Sequence, residues 1–334
     1  MQKLKSPHVS MIENNPSFTI IVPVYNGGST LRKCLESIFD SSEYDSEVIV
    51  VNDGSTDNTV DVAKLFPCRI INLSKNQGAA SARNIGAKEA KGEVLLFIDA
   101  DIILENNTIN KFIEEFRQKT MQILVGIYGN KVICSNVVSV YKNLHLHFEH
   151  MHTSRRFWSG CAAINKQSFF QIGMFDKEKK GSLNSEDTKF GYDAISKGCR
   201  VLVNTDIRVS HNHYYSLKGL VRNEFYKTLG WLRILFAIKN KRVAQGHYLN
   251  LRNIFSLLCI YLSLTSSFLT FFSTQFALLS ISLMILFVLL NLSFYILIMN
   301  EKGFRYLVPA PFLHMLSFLV VGIGIIVGLI SCRR

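Results

Sequence analysis

The stretch GEVLLFIDADI, residues 92–102, decides the fold class, because a continuous apolar run (Glu93–Ile98) ends directly in two acids one residue apart. Three similar runs precede it along the chain, at Phe18–Tyr25, Glu47–Asn52 and Arg69–Leu73. Apolar runs without polar alternation are typical of parallel strands that are covered on both faces. Because segments with helical spacing separate the four runs, the sequence predicts an α/β fold with a doubly wound, mostly parallel sheet.

Acidic residues follow two of these predicted strands. Asp53 comes directly after the second run, and Asp99 and Asp101 come directly after the fourth. Ligands of doubly wound sheets bind beyond the carboxyl ends of the strands, so we expect the three acids to line one crevice. Neither a GxxxxGK[ST] nor a GxGxxG motif follows the first run, which leaves a P-loop or dinucleotide fold without support. A metal held by Asp-Ala-Asp is the natural candidate for handling phosphates.

The charge of the chain is unevenly distributed. The 334 residues carry a formal net charge of +12 and 48% of them are hydrophobic, but residues 251–334 contain only six Lys, Arg, Asp or Glu. This pattern excludes a disordered protein, a disulfide scaffold and a single uniform globule, and it predicts a soluble part followed by a membrane region. The seven cysteines are widely spaced and lack a CxxC pair, which favours buried free thiols in a reducing compartment.

Three charge-free apolar runs predict three membrane spans, at Ile254–Phe272, Phe276–Met299 and Leu307–Ile330. The first would be roughly 28 Å long as a helix, about the thickness of one bilayer core. Basic residues between positions 239 and 252, and the lack of a signal-peptide core, favour a cytosolic position for residues 1–250. With three spans, however, Arg333 and Arg334 would lie outside, against the positive-inside rule, so a re-entrant third segment stays open.

Residues 216–250 predict an amphipathic helix that lies in the lipid headgroup layer, with an ordinary surface helix facing the core as the alternative. Cations at this place favour anionic lipid, and lipid explains the basic charge more simply than nucleic acid does. The predicted apolar stripe consists of Leu217, Val221, Phe225, Leu229, Leu232 and Phe236, and the cations beside it are Lys218, Arg222, Lys227 and Arg233.

Several segments together resemble a known family. They are IIVPVYNGGSTLRKCLESI (20–38), VIVVNDGSTDNT (48–59), NQGAASARNIGAKEAKGEVLLFIDADI (76–102), GMFD (173–176) and SEDTKFGYDAISKG (185–198). In this order, from about Phe18 to about His213, they resemble family 2 of the glycosyltransferases, with the GT-A fold. The resemblance implies inverting transfer of a sugar from a nucleotide-sugar donor.

The resemblance also implies a role for each motif residue. The implied donor-binding residues are Pro23, Tyr25, Asp53, Arg83 and Asp99. The implied ligands of Mn2+ or Mg2+ are Asp101, Asp99 and His211, with His213 as a weaker candidate. Asp99 and Asp101 are two residues apart, and alternate residues of an extended chain point the same way. A cation bound to them would relieve the repulsion between a diphosphate and the two carboxylates. Asp187 is the implied catalytic base, and its neighbour Glu186 is the less favoured alternative.

Each of these residues also has a purely structural alternative. Asp53 can serve a turn, Asp57 can cap a helix as readily as it can touch the donor, and Arg83 can be a surface residue. Four closely spaced histidines, between the segments 76–102 and 173–176, suggest a metal cluster at first sight. We interpret them instead as part of a solvated helix on the acceptor side: His145, His147, His150 and His152.

The predicted organisation has four parts. Residues 1–17 form an N-terminal tail, and residues 18–215 form a GT-A catalytic domain, with a nucleotide-sugar-binding half (18–120) and an acceptor and catalytic half (121–215). Residues 216–250 form the basic juxtamembrane helix, and residues 251–334 form the transmembrane region. The Gln-x-x-Arg-Trp motif of polymerising relatives is missing from this chain, so transfer of one sugar per encounter is favoured over processive synthesis.

The function predicted from the sequence is that of an integral enzyme of the cell (inner) membrane with a cytosolic catalytic domain. It would transfer a sugar from a UDP- or GDP-sugar to a lipid-linked saccharide acceptor in cell-surface glycan synthesis, in contact with membrane lipids and without nucleic acid. Two alternatives stay open. One is a polyprenyl-phosphate glycosyltransferase that loads one sugar on the lipid carrier, and the other is a catalytically silent membrane protein that binds sugar nucleotides.

Overall fold

A computed structural model describes residues 17–41, 46–117, 122–152, 157–176, 186–237 and 250–331 of the chain. The predicted tail therefore lies outside the described residues except for its last one, as do Arg333 and Arg334. The strands in the described part are β1 (Phe18–Val24), β2 (Glu47–Asn52), β3 (Arg69–Asn72), β4 (Val94–Ile98), β5 (Ile102–Leu104), β6 (Ile123–Tyr128), β7 (Cys161–Asn165) and β8 (Val201–His211).

The helices of the α/β part are α1 (Gly28–Asp40), α2 (Thr59–Ala63), α3 (Ala79–Glu89), α4 (Thr108–Arg117), α5 (Val137–Met151), α6 (Lys166–Ile172) and α7 (Glu186–Ser196). The helices that follow are α8 (Leu217–Ala237), α9 (Leu251–Leu269), α10 (Gln275–Leu290), α11 (Leu292–Lys302), α12 (Phe304–Leu307) and α13 (Ala310–Ser331).

The described strands form one mixed sheet in the order β3-β2-β1-β4-β7-β6-β8-β5. Strands β1 to β4 are parallel to one another, and β6 is parallel to β8. Strand β7 lies antiparallel between β4 and β6, and β5 lies antiparallel to β8 at the edge. The predicted α/β fold is confirmed, and the four apolar runs are strands within one residue of their predicted bounds.

Strand β8 is one long strand with an irregular middle. It pairs in register with β6 as far as Val203, opposite Val125, and again from Arg208, opposite Ile127. The register shift leaves extra residues of β8 between these two points, as in a β-bulge. The polar residues Asn204, Thr205 and Asp206 fall within this irregular stretch, which is why the sequence pattern shows an interruption there.

The apolar C-terminal region is helical, as predicted. Two of its helices are long and apolar enough to cross a membrane, Leu251–Leu269 and Phe304–Ser331. Helices α10 and α11 together would be a third span, but they are bent by 59° at a break between them. The described helices therefore offer two candidate spans, or three if the bent pair of α10 and α11 forms a single span.

The bend directs α11 towards the α/β domain. Phe294, Tyr295 and Ile298 of α11 pack in one apolar cluster with residues of α5, including Tyr141 and Leu144. The last turn of α11 and helix α12 also contact the loop that follows β6. There, Asn130 donates a hydrogen bond to Glu301 (2.9 Å), and the Tyr306 hydroxyl donates to the carbonyl oxygen of Ser135 (2.9 Å). The end of α11 and helix α12 therefore lie against the α/β domain.

Helix α8 runs alongside α13 in the same direction. A side chain at Gly324 would meet Thr228, and one at Gly328 would meet Leu232, so each step of four residues along α13 matches one along α8. Glycines let two helices approach closely. The buried side of α8 includes Leu220, Glu224, Thr228 and Trp231, whereas Leu217 and Phe236 at the two ends of the predicted apolar stripe are exposed.

The interpretation of α5 as a solvated helix is wrong. His147 and His150 are buried. Nδ1 of His147 lies 2.7 Å from the carbonyl oxygen of Tyr128, and Nδ1 of His150 accepts a hydrogen bond from the backbone nitrogen of Tyr128 at 3.3 Å. His145 stacks on Tyr141 and contacts His314 of α13. The sequence pattern misled because α5 is covered by strand β6 and by the C-terminal helices, which are distant in sequence.

The described cysteines are free: Cys34, Cys161 and Cys259 are buried, and Cys68, Cys134 and Cys199 are partly buried. This agrees with the predicted free thiols, although only half of these six are fully enclosed. Cys332 lies outside the described residues.

The contacts of Glu301 and Tyr306 predict the topology of the C-terminal helices. Ser256 and Asn291 are hydrogen bonded at one end of the α9–α10 pair, and Ser263 and Ser280 are hydrogen bonded further along it, so the turn at 270–274 lies at the opposite end. We expect Ser273→Cys and Lys302→Cys to react with a membrane-impermeant maleimide from opposite sides of sealed vesicles, with Lys302→Cys on the side of the α/β domain. The unsubstituted protein gives the background from native thiols, and labelling of both variants from one side would contradict this topology.

Candidate functional site

A cavity of about 810 Å³ lies at the carboxyl ends of β1, β2 and β4. It is the crevice in which the sequence places its three acids, and all three of them line it. Its walls include Pro23, Tyr25, Asp53, Arg83, Asp99, Asp101, Cys134, Asn212, His213 and Tyr214. The sequence-predicted donor-binding residues therefore meet in one place, whereas Asp187 is not among the residues that line this cavity.

Asp53 is almost fully buried, with 2% of its surface exposed. Its two carboxylate oxygens accept hydrogen bonds from the backbone nitrogens of Gln77 and Gly78, both at 2.8 Å. Burial raises the pKa of the Asp53 carboxyl, and these two hydrogen bonds oppose the rise. Gly54 has a φ of +73°, and a side chain there would approach the backbone at Lys75 to 2.7 Å. Asp53 thus fixes the loop that leads into α3 while it lines the cavity.

The other wall of this part of the cavity follows β1. Pro23 is buried, and the Tyr25 ring is 51% exposed beside the opening. Asp57 accepts hydrogen bonds from the backbone nitrogens of Gly28 and Thr59, each at 3.1 Å. These bonds and one from the Thr59 hydroxyl hold the pKa of Asp57 below its usual range despite partial desolvation. Asp57 therefore joins the first loop to the start of α2, the structural alternative considered for it, and it does not line the cavity.

Arg83 connects two acids that the sequence does not relate to each other. Its guanidinium is 2.6 Å from Asp99 and 3.0 Å from Glu186, and the residue is only 4% exposed. Burial alone would lower the pKa of Arg83, but the two carboxylates raise it above its already high value. The planar fork of arginine suits two simultaneous acceptors. Arg83 is therefore a bridge between the end of β4 and the first turn of α7.

Asp101 lies at the centre of a cluster with two histidines. One of its carboxylate oxygens is 3.2 Å from Nε2 of His211 and 3.3 Å from Nδ1 of His213. Desolvation would raise the pKa of Asp101, but hydrogen bonds to both histidines hold it well below its usual range. The candidate ligand atoms of the three residues lie within 4.8 Å of one another. The arrangement offers one oxygen and two nitrogen ligands to a cation.

Strand pairing brings this cluster together. Strand β5 begins directly after Asp101 and pairs with the end of β8, where Ile102 is opposite His211. The backbone nitrogen of Asn212 then donates to the carbonyl oxygen of Asp101 at 2.7 Å, which holds the start of the following loop beside the acid. His211 and His213 point to the same side, as residues two apart in an extended chain do, and their rings stack at 5.3 Å.

Asp99 lies outside the cluster of Asp101 and the histidines. Its carboxylate is held by Arg83 and is about a third exposed at the cavity. The sequence pairs Asp99 with Asp101 as metal ligands, and it ranks His213 below His211. In the structure, His213 rather than Asp99 completes the three-residue group. The spacing of His211 and His213, two residues apart, was the signal that the sequence offered for this group. Their shared partner is Asp101, which lies 110 positions before His211, and this contact is visible only in the fold.

Glu186 and Asp187 form the first turn of α7 and have different surroundings. Glu186 pairs with Arg83, whereas one Asp187 oxygen accepts a hydrogen bond from the backbone nitrogen of Thr188 at 2.6 Å. Asp187 is close enough to Arg83 to stabilise its positive charge. The carboxylate of Glu186 is therefore part of the Arg83 bridge, and the carboxylate of Asp187 is not.

In comparison with known proteins, most of the α/β domain is similar to one family of transferases. The glycosyl transferase family 2 profile matches residues 19–177. The chain is 33% identical over 117 residues to the glycosyltransferase GlyG of Streptococcus pneumoniae, which covers 34% of this chain and 39% of GlyG. It is 26% identical over 202 residues to EpsJ, an uncharacterised glycosyltransferase of Bacillus subtilis, which covers 56% of this chain and 58% of EpsJ. The chain thus spans less than two thirds of these relatives.

The fold is also similar to a solved structure. The mannosyltransferase PcManGT of Pyrobaculum calidifontis, in complex with GDP-Man and Mn2+, superposes with a TM-score of 0.59 at 16% identity. The superposition covers 92% of this chain and 86% of PcManGT. At this identity the likeness concerns the fold, which includes more of the chain than the sheet alone.

The bridge made by Arg83 predicts a stability effect. In Arg83→Lys, one ammonium group replaces a fork that contacts two carboxylates, so one buried charged hydrogen bond is lost, at a cost of about 1.5–3 kcal/mol. Thermal or chemical unfolding of the purified full-length protein measures the change. Arg69→Lys is the matched control, because Arg69 and Glu89 form an exposed pair worth about 0–1 kcal/mol. Equal effects of the two substitutions would contradict the structural role of the Arg83 bridge.

Proposed function

We propose that this chain, whose residues 19–177 match the glycosyl transferase family 2 profile, transfers a sugar from a UDP- or GDP-sugar to a membrane-resident saccharide acceptor, with inversion at the anomeric carbon. The observation that carries the proposal is the cluster of Asp101, His211 and His213 at the edge of the 810 Å³ cavity. A cavity of this size accommodates a nucleotide-sized ligand. Asp53 and Tyr25 would hold the nucleoside end, and Arg83 and Asp99 would border the diphosphate.

The residues present fit a divalent cation. Asp101 supplies an anionic oxygen and each histidine supplies an imidazole nitrogen, while the buried Nδ1 of His211 has no hydrogen-bond partner in the described part of the chain. A mixed oxygen and nitrogen set suits Mn2+ better than Mg2+, which prefers oxygen ligands. Bound there, the cation would act as a Lewis acid that stabilises the departing nucleoside diphosphate.

The chain's own residues would supply the remaining chemistry. Asp187 is proposed to accept the proton of the acceptor hydroxyl as its oxygen attacks the anomeric carbon, and the bond from that carbon to the diphosphate breaks in the same displacement. Arg83 fixes Glu186, and with it the first turn of α7 that carries Asp187. The same arginine fixes Asp99 at the donor cavity. The donor side and the base are thus held by a single side chain.

The C-terminal helices support a membrane-resident acceptor. Two helices, or three with the bent pair, are long and apolar enough to span a membrane, and α11 packs on the α/β domain. An enzyme held this way meets acceptors that are themselves confined to the membrane. A lipid-linked saccharide is the acceptor that we propose, with the α/β domain on the cytosolic side, where sugar nucleotides are made available.

The cation cluster predicts dependence on Mn2+. We expect Asp101→Asn and His211→Ala to lower transfer about a hundredfold or more, the scale seen when one group that stabilises developing charge is removed. Both variants should also lose Mn2+ binding, measured by calorimetry on the full-length protein in detergent. Asp61→Asn is the control, because Asp61 is an exposed residue of α2 paired only with Lys64 among the described ion pairs. Unchanged Mn2+ binding in Asp101→Asn would refute the cluster as a metal site.

The role proposed for Asp187 predicts different effects on the rate of transfer and on donor affinity. Asp187→Asn keeps the shape of the side chain and removes the base, so transfer should fall about 10²–10⁴-fold while donor affinity stays the same. Asp193→Asn is the matched control on the same helix, since Asp193 forms a surface pair with Lys189. Transfer assays with a lipid-linked acceptor, alongside donor titrations, give both quantities. Loss of donor affinity together with transfer would show that Asp187 binds substrate instead.

A further inference from the structure

The ring of His211 has an unusual environment for a candidate metal ligand. A metal-binding histidine normally donates its second ring nitrogen to a carboxylate, a backbone carbonyl or a water, and this hydrogen bond fixes the direction of the ring. Nε2 of His211 lies 3.2 Å from Asp101, but its buried Nδ1 has no hydrogen-bond partner in the described part of the chain. The orientation of the ring therefore depends on other contacts.

Three aromatic rings contact His211. The His213 ring is nearly parallel to it, with 14° between the planes and 5.3 Å between the centroids. The Tyr128 ring is tilted by 38° at 5.1 Å, and the Tyr215 ring meets it edge-on at 5.7 Å. Favourable aromatic pairs have centroids about 4.5–7 Å apart. His211 is 8% exposed, so its imidazole is packed among these rings.

Tyr128 is itself held firmly. Its backbone nitrogen donates to Nδ1 of His150 at 3.3 Å, and its carbonyl oxygen lies 2.7 Å from Nδ1 of His147. Its ring packs against Trp158 with 4.4 Å between the centroids. The indole is fixed in turn, because Nε1 of Trp158 donates to the carbonyl oxygen of Gly126 at 2.7 Å. Tyr128 therefore offers His211 a ring whose own position is determined by β6, α5 and Trp158.

Tyr215 is held by the start of α5. Its backbone nitrogen donates to the hydroxyl of Ser139 at 2.8 Å, and its carbonyl oxygen accepts a hydrogen bond from Asn136 at 2.9 Å. Tyr215 is 6% exposed, and its ring contacts His213 at 4.6 Å as well as His211. One buried tyrosine thus contacts both histidines of the cation cluster.

We propose that Tyr128 and Tyr215 are positioning residues of the cation cluster, whose rings hold the His211 imidazole so that Nε2 is directed towards the cation. The proposal rests on the cation site of the proposed function and extends it to two residues that do not line the large cavity. An imidazole that turns freely presents Nε2 only part of the time. The apparent affinity for the cation falls in proportion to that fraction.

Binding of Mn2+ to the full-length protein in detergent, measured by calorimetry, tests the proposal. Tyr128→Leu fills the space but removes the flat ring. We expect about tenfold weaker binding, as when the competent orientation falls to a tenth of the population. Tyr128→Phe keeps the ring and should bind Mn2+ as the unsubstituted protein does. Tyr215→Leu gives the same test from the other tyrosine if Tyr128→Leu does not fold.

Phe66→Leu is the matched control for the loss of a ring. Phe66 is partly buried, as Tyr128 is, and stacks on Phe39 at 5.9 Å, but it does not line the large cavity. Both leucine variants should lower the unfolding temperature in the absence of Mn2+. A ligand raises that temperature according to its affinity, so the rise caused by Mn2+ should shrink in Tyr128→Leu and stay unchanged in Phe66→Leu.

The outcomes separate this proposal from the function on which it rests. If the unsubstituted protein does not bind Mn2+, the cation site of the proposed function is refuted, and the positioning role is refuted with it. If the unsubstituted protein binds Mn2+ and Tyr128→Leu binds it equally well, only the positioning role is overturned. Weaker binding in Tyr128→Phe as well as in Tyr128→Leu would also overturn it, because the ring would then not be the group that matters.

Discussion

The ion pairs of Arg83 are the interaction on which the site depends. Asp99 ends a buried strand of the sheet, and Glu186 begins a helix 103 residues after Arg83. With the arginine 4% exposed, the loss of either carboxylate would remove a charged hydrogen bond from a buried guanidinium, which is costly. The arginine is predicted to contact the donor, and it lines the large cavity at the sheet edge. Its bonds show a second task, which is to fix α7 relative to β4.

The sequence predicted the parallel half of the sheet because each strand is apolar throughout and ends in a turn or an acid. The positions of Asp53, Asp99 and Asp101 at one sheet edge follow from that topology alone. Strand β7, which is antiparallel, and the long β8 were not predicted with their pairing, since short apolar runs do not specify direction or register. The partners of Asp101 and Arg83 come from distant segments and became visible only once the strands were paired.

Burial of the helices was harder to predict, because it is decided by how the helices pack against the sheet and against one another. The histidines of α5 have the composition of a solvated helix, but β6 and α11 cover them. In α8, the apolar stripe at helical spacing is less buried than the face with Glu224 and Thr228. Gly324 of α13 admits Thr228 of that face at close range, whereas Gly328 lies against Leu229 and Leu232 of the stripe, so α13 covers parts of both.

Helix α5 connects the surroundings of the candidate site with the apolar C-terminal helices. At its start, the Ser139 hydroxyl accepts a hydrogen bond from the backbone nitrogen of Tyr215, two residues after His213 of the cation cluster. At its centre, Lys142 pairs with Glu224, and the Tyr141 hydroxyl contacts Ser317 of α13 at 3.2 Å. Near its end, His147 and His150 meet Tyr128 of β6, whose ring packs against His211 at 5.1 Å. One helix therefore contacts the surroundings of the cation cluster on one side and the apolar C-terminal helices on the other, because residues at its start, centre and end face different partners.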